Sequence, residues 1–209
     1  MGSTNIYELM ERIETVLYKT GSLSVAQAEA INEGNALSKG AVRQLVKESR
    51  AFYSRDRDFI LANPKYKPRA YMEDAVSAML PFIGQIHLKN IFIPCEESND
   101  AKKKNTSPII FGFTRGQKVY EVCRAKDSKE LKSLIPKLEK IYQTDKEELE
   151  NIRYLIALPR ESTMNYMDKN VSFPYAFACV KYDSKRNADV SFYSSDKITL
   201  DELNEGNAD

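Results

Sequence analysis

The sequence predicts an α+β protein in two successive parts: short helices closed by a hairpin, then a mixed β-sheet with helices against it. Three observations carry that expectation. Apolar residues recur every three or four positions in three short blocks before residue 50, and the pattern changes to period two just after it. Beyond residue 107, apolar runs of strand length are interrupted by one long amphipathic stretch. Charge is also uneven: residues 36–70 hold nine basic and three acidic side chains, +6 in a chain whose formal net charge is +1. A local basic surface on a neutral protein points to a polyanion met at one place.

In residues 5–19, Ile6, Leu9, Ile13, Val16 and Leu17 share a helical face, with Thr4 expected as N-cap and Gly21 as the stop. Ser24 is placed to cap a second, short helix whose Val25, Ala28 and Ile31 face one way, before Gly34 and Asn35 break it. Ser38 opens a third helix, with Val42, Leu45 and Val46 inward and Lys39, Arg43, Lys47 and Arg50 outward. Phe52 and Tyr53, then Phe59, Ile60 and Leu61, flank a charged tip at residues 54–58, which reads as a hairpin. Pro64 and Pro68 end it.

Three short helices and a small hairpin make the order of a winged helix-turn-helix, expected over residues 1–68. Such folds lay the third helix in the major groove and use the hairpin as a wing. Cations spaced four apart on one face can reach successive phosphates. Arg43 and Gln44, near the helix start, suit base edges, arginine to guanine and glutamine to adenine. Arg55 and Arg57 would approach the backbone or minor groove from the wing. Lys39, Arg43, Gln44, Lys47, Arg50, Arg55 and Arg57 are therefore the candidate DNA-binding residues. The competing reading of the same side chains is a solvated basic face and a hairpin whose charges blunt an edge strand.

Residues 69–195 form the second part. A helix is expected over 71–82, with Met72, Val76, Met79 and Leu80 on one side, then a short strand over 90–94. His87, between Ile86 and Leu88, reads as a packed residue at that junction. Residues 95–107, with Lys102, Lys103 and Lys104, are polar and aperiodic and read as a solvated loop. Strands over 108–114 and 118–124 turn at 115–117. A helix over 127–144 turns Leu131, Leu134, Ile135, Leu138 and Ile141 inward, and Pro136 inside it predicts a kink or an early start. The nearly all-apolar run 152–158 suits a strand buried on both faces. Residues 173–182 and 189–194 give a last hairpin, turned at 183–187, before a polar tail over 196–209.

Helix, three meandering strands, helix and strand is the core order of the restriction-endonuclease-like fold, here an α/β domain with a mixed sheet. Such enzymes set one carboxylate near the second strand and an acid-x-lysine triplet on the third. Two acids hold Mg²⁺ and the lysine helps activate water. In this chain Glu121 takes the acid's place, Cys123 the lysine's, and no acid occurs in residues 108–117. The nearest acids, Glu96, Glu97 and Asp100, lie in the loop. Arg124 or Lys126 as a displaced cation, with Asp100 as a displaced acid, keep a divergent metal-dependent nuclease as an alternative. A degenerate core without catalysis, metal or cofactor is preferred.

The strand-helix-strand unit of residues 109–158, following the helix and hairpin of residues 37–61, resembles the replication-relaxation-type proteins of Gram-positive plasmids and conjugative elements. The resemblance implies a non-enzymatic, double-stranded DNA-binding protein of a plasmid, phage or conjugative element, acting in its replication, maintenance, transfer or regulation. In the preferred reading of this chain the C-terminal domain serves as a scaffold for dimerisation or docks a protein partner. Read from the residues alone, a protein-interaction module without nucleic acid stays open.

Other chemistries find no support. One histidine excludes a His-cluster relaxase, and the Arg and His set of a tyrosine recombinase is not evident. Residues 112–116 lack the Gly-Lys-Ser/Thr ending of a phosphate loop. Cys95, Cys123 and Cys179 have no metal-like spacing and read as reduced thiols, which with the unremarkable N-terminus suggests a cytoplasmic protein. No 18-residue apolar run marks a membrane span.

Overall fold

The computed structural model describes residues 5–94, 107–144, 151–167, 170–195, 197–198 and 203. Thr4, Cys95, Glu96, Glu97, Asp100, the three lysines 102–104 and most of the tail lie outside them.

Helix α1 (Ile6–Thr20) is capped by Asn5 instead of Thr4: the Asn5 side chain accepts the Tyr7 N–H at 3.1 Å. It stops at Gly21, which sits at φ 79° and donates its N–H to the Leu17 carbonyl at 2.7 Å. Strand β1 (Ser22–Ser24) follows and was not expected, because three residues are too few to show alternation. Ser24 both ends it and caps α2 (Val25–Ala30) in a reciprocal box. Its Oγ accepts the Gln27 N–H at 3.1 Å while the Gln27 side chain accepts the Ser24 N–H at 2.9 Å. Helix α3 (Ser38–Lys47) buries Ala41, Val42 and Leu45. It closes at Ser49, which takes the left-handed region at φ 59°, with the Arg50 N–H returning to the Leu45 carbonyl at 2.9 Å. Arg50 therefore stands past the helix instead of on its outer face. Strands β2 (Phe52–Tyr53) and β3 (Phe59–Leu61) form the expected hairpin, and β1 pairs with the free side of β3.

Helix α4 (Ala70–Met79) tightens into a 3₁₀ turn (Leu80–Gln85) where Pro81 has no N–H to continue it. The strand expected over 90–94 is reduced to one antiparallel bridge, Phe92 to Gly112, with hydrogen bonds of 2.9 and 2.8 Å. A 3₁₀ turn (Leu88–Asn90) precedes it and Pro94 follows, so no ladder extends. Gly112 is required there: a Cβ would stand 2.2 Å from the Phe92 ring. His87 is exposed, not packed; the apolar residues beside it, Ile86 and Leu88, supply the burial.

Strands β4 (Phe111–Arg115) and β5 (Lys118–Arg124) pair antiparallel around Gly116 at φ 58°. Helix α5 (Ser128–Thr144) begins at Asp127, whose carboxylate accepts the Glu130 N–H at 2.9 Å, and runs on through Pro136. Strand β6 (Ile152–Leu158) lies parallel to β5, β7 (Tyr175–Tyr182) parallel to β6, and β8 (Ala188–Ser194) antiparallel to β7. The sheet order is β4-β5-β6-β7-β8. A 3₁₀ turn (Glu161–Tyr166) in the β6–β7 crossover was not foreseen.

The alternation along β6 explains its all-apolar sequence. Tyr154, Ile156 and Leu158 pack with Leu131, Leu134 and Leu138 of α5, while Leu155 and Ala157 join the opposite cluster with α4. That second cluster continues without interruption into Leu9, Ile13, Leu17 and Leu45 of the N-terminal helices. Helix α4 is thus sandwiched, with six consecutive residues from Asp74 to Met79 buried.

Candidate functional site

The basic residues of α3 and the hairpin meet at a shallow concavity of about 230 Å³, lined by Lys39, Arg43, Tyr53 and Arg57 with Val25, Glu29 and Val42. Lys39 and Arg43 are one helical turn apart and both exposed, because the apolar positions of α3 turn the other way. Arg57 takes φ 63° at the hairpin tip. The tip is built by its own polar residues. Asp56 accepts the Ser54 hydroxyl and the Asp58 N–H, the latter at 3.2 Å, and Ser54 accepts the Phe59 N–H at 3.0 Å. The Ser54 hydrogen bond holds the Asp56 carboxyl below the ordinary carboxylate range. Asp56 is thereby engaged with the turn, and Arg55 and Arg57 are left facing solvent.

Among the described residues, no carboxylate lies within ion-pair distance of Lys39, Arg43, Lys47, Arg55 or Arg57. Gln44 and Arg50 are placed differently. The Gln44 amide donates to Glu48 at 2.7 Å, which lowers that carboxyl. The Arg50 guanidinium grips Glu14 of α1, Nε to Oε1 at 2.9 Å, and reaches Glu48 at 3.3 Å. Of the seven candidates, three converge, Lys47 extends their row by a turn, Arg55 stands at the hairpin tip, and two are tied to Glu48.

A second concavity of about 460 Å³ adjoins the first through Arg57 and brings in Tyr182, Lys185 and Arg186 from the β7–β8 turn. Sequence reasoning placed that turn correctly but had no signal that it would lie beside the hairpin. Arg186, at φ 63°, lies over the Phe59 ring at 4.7 Å and bonds Glu73 at 2.8 Å and Asp58 at 3.3 Å. Its charge is paired; Lys185 is exposed.

The seam between the helices and the sheet is a polar network centred on α4. Asp74 accepts the Arg124 Nε at 2.8 Å and the Tyr182 hydroxyl at 3.1 Å. Gln27 of α2 donates to Ser77 at 2.9 Å and to the Glu73 carbonyl at 2.8 Å. Burial pushes the Tyr182 phenol up, and it pushes the Glu73 carboxyl up despite Arg186. These groups fasten one part of the molecule to the other.

The endonuclease-like positions fall on the other side of the sheet. Cys123 is fully buried against α5, and burial, aided by the Glu121 charge, raises its thiol well above the ordinary value, so it is a poor nucleophile. Arg124 turns to Asp74 on the α4 side, and Lys126 pairs with Glu130 at 3.0 Å. Among the described residues, no three His, Cys, Asp or Glu side chains are grouped to hold a metal. No helix among them is long and apolar enough to cross a membrane. No family model matches the chain, and neither a curated protein nor a solved structure is significantly similar to it.

Proposed function

We propose that the chain is a non-enzymatic double-stranded DNA-binding protein whose N-terminal helices and hairpin work as a winged helix. In this reading α3 enters the major groove, the hairpin lies along the backbone, and the sheet is a scaffold that carries Lys185 beside the hairpin. One observation carries it: Lys39 and Arg43 of α3 and Arg57 of the hairpin line one concave face, and among the described residues no carboxylate, Glu29 of the same lining included, is in ion-pair reach of them. Unpaired cations on a concave face gain most from a rigid polyanion, because each phosphate they neutralise releases counterions. Arg43, one turn into the helix, is the side chain for a guanine edge. A role in replication, maintenance or transfer of a mobile element rests on the sequence resemblance, and the absence of catalysis on Cys123 standing where an endonuclease needs lysine.

Fluorescence anisotropy on a labelled random duplex tests the reading. Binding should be present at about 50 mM salt and fall steeply toward 200 mM. Lys47→Ala should weaken all sequences alike and reduce the log–log salt slope by about one. Absence of binding at low salt would favour a protein-interaction module. Mg²⁺- or Mn²⁺-dependent cleavage abolished by Glu121→Gln would establish a nuclease instead.

A further inference from the structure

A third concavity, of about 760 Å³, lies elsewhere, between the end of α1, the segment leading into α4, and the sheet edge. No residue lines both it and the α3 face. That volume is within the range of ordinary ligand sites, roughly 300–1,000 Å³. Its lining is unusual for a solvated groove. Tyr18, Tyr66, Tyr71 and Ile93 are four of the eight exposed large hydrophobic side chains among the described residues, and all four line it.

The aromatic faces are held in place. The Tyr66 ring packs on Gly21 at contact distance, 3.4 Å from where a Cβ would stand, and the φ of 79° at Gly21 is the backbone conformation that favours glycine there. The Tyr71 hydroxyl accepts the Arg69 guanidinium at 2.7 Å. Lys19 is fixed by the carbonyls of Lys89, at 3.1 Å, and Ile91, which orient its ammonium without neutralising it. Lys67 is exposed with no carboxylate in ion-pair reach among the described residues. Glu130, the one acid among the described residues of the lining, is already paired with Lys126 at 3.0 Å.

We infer that this cleft binds single-stranded nucleic acid, with bases stacked on Tyr66 and Tyr71 and phosphates met by Lys67 and Arg69. Rigid aromatic faces flanked by cations are the two elements of sequence-tolerant single-strand recognition. A duplex does not satisfy them, because its bases are stacked on one another and offer no free face. The inference is independent of the duplex reading and uses different residues.

Anisotropy of the full chain at about 50 mM salt, with labelled oligo(dT) and oligo(rU) of about twelve nucleotides, provides the test. The Tyr66→Ala/Tyr71→Ala variant should bind single strands at least roughly tenfold more weakly and duplex unchanged, while Tyr66→Phe stays close to wild type. Arg43→Ala/Lys47→Ala should do the reverse. Lys67→Ala, a fully surface change, should lower the single-strand salt slope by about 0.7 even if the tyrosine variant folds poorly. The ratio of the two oligonucleotide affinities decides between DNA and RNA as the source. Absence of binding to either strand overturns the inference. So does a folded double-tyrosine variant that binds like wild type, or equal losses for single strand and duplex.

Discussion

The α3 face and the α4 seam carry similar side chains in opposite circumstances. At the seam, Arg124 and Asp74 keep only 17% and 8% of their side-chain surface, so each has lost most of its water and leans on the other, with Tyr182 on Asp74 and, at 3.9 Å, Glu130 near Arg124 as the further partners. On α3, Lys39, Arg43 and Lys47 are exposed and hydrated, and nothing in the fold needs their charge. The residue type is the same in both regions. What separates a structural cation from one available to a ligand is the partner already present, and only the folded chain supplies that information.

The contrast breaks first, and by the largest amount, at Asp74. Asp74→Ala should cost about 3 kcal/mol in urea unfolding, because it leaves a largely buried guanidinium with only Glu130, at 3.9 Å, and removes one of the two acceptors of the Tyr182 hydroxyl. Duplex affinity of the folded variant should stay unchanged. A loss below about 1 kcal/mol would mean that Arg124 finds water and that the seam is not a fastening.

Arg43→Ala is the mirror experiment. Its unfolding free energy should move by less than about 0.5 kcal/mol, as for a surface change without partners. Affinity at a preferred duplex should fall by about 1–3 kcal/mol with relaxed specificity. A stability loss comparable with that of Asp74→Ala would erase the distinction between the two regions.

What was legible in the sequence follows the same division. Elements with strong periodicity were readable: β5 and β6 lie where their patterns put them, and α5 differs by one residue because Asp127 is its cap. The β1 strand was not readable, since its partner β3 lies 35 or more residues away and its three residues show no pattern. The 90–94 strand failed because apolar content there serves one ring over Gly112 and no ladder. Within the candidate site, the helix spacing put Lys39, Arg43 and Lys47 on one face correctly. Arg50 was grouped with them because helical spacing continues on paper past Ser49, where the chain in fact turns left-handed. Lys185 was invisible as a neighbour of the hairpin because only tertiary packing brings it there.

Arg50 sharpens the comparison because it belongs to neither extreme. Its pairs with Glu14 and Glu48 are partly exposed, its own side chain at 36%. Arg50→Ala should therefore cost about 1 kcal/mol or less in unfolding. Duplex affinity should be nearly unchanged, since the guanidinium is turned to α1. If Arg50→Ala instead weakens DNA as much as Arg43→Ala, the pair with Glu14 opens on binding and partner count alone is not the right criterion.

The smallest effect concerns the pH dependence of the seam itself. Glu73 lies under Arg186, and burial raises its carboxyl above the ordinary 4.5 even though Arg186 pulls the other way; Asp74 and Asp58 add to the rise. A carboxyl with a raised value in the folded state binds its proton more tightly there than in the unfolded chain. Its contribution is then most favourable below the unfolded value and diminishes as pH rises through the folded one. Glu73→Gln keeps an acceptor for Arg186 and cannot ionise. Relative to this variant, the wild type should therefore lose stability as pH rises through and above the ordinary carboxylate range, measured as unfolding free energy in urea at successive pH values. A wild type that instead gains on the variant as pH rises would show the Arg186 attraction outweighing burial, and Glu73 would then be held by its pair as firmly as Asp74 is by Arg124.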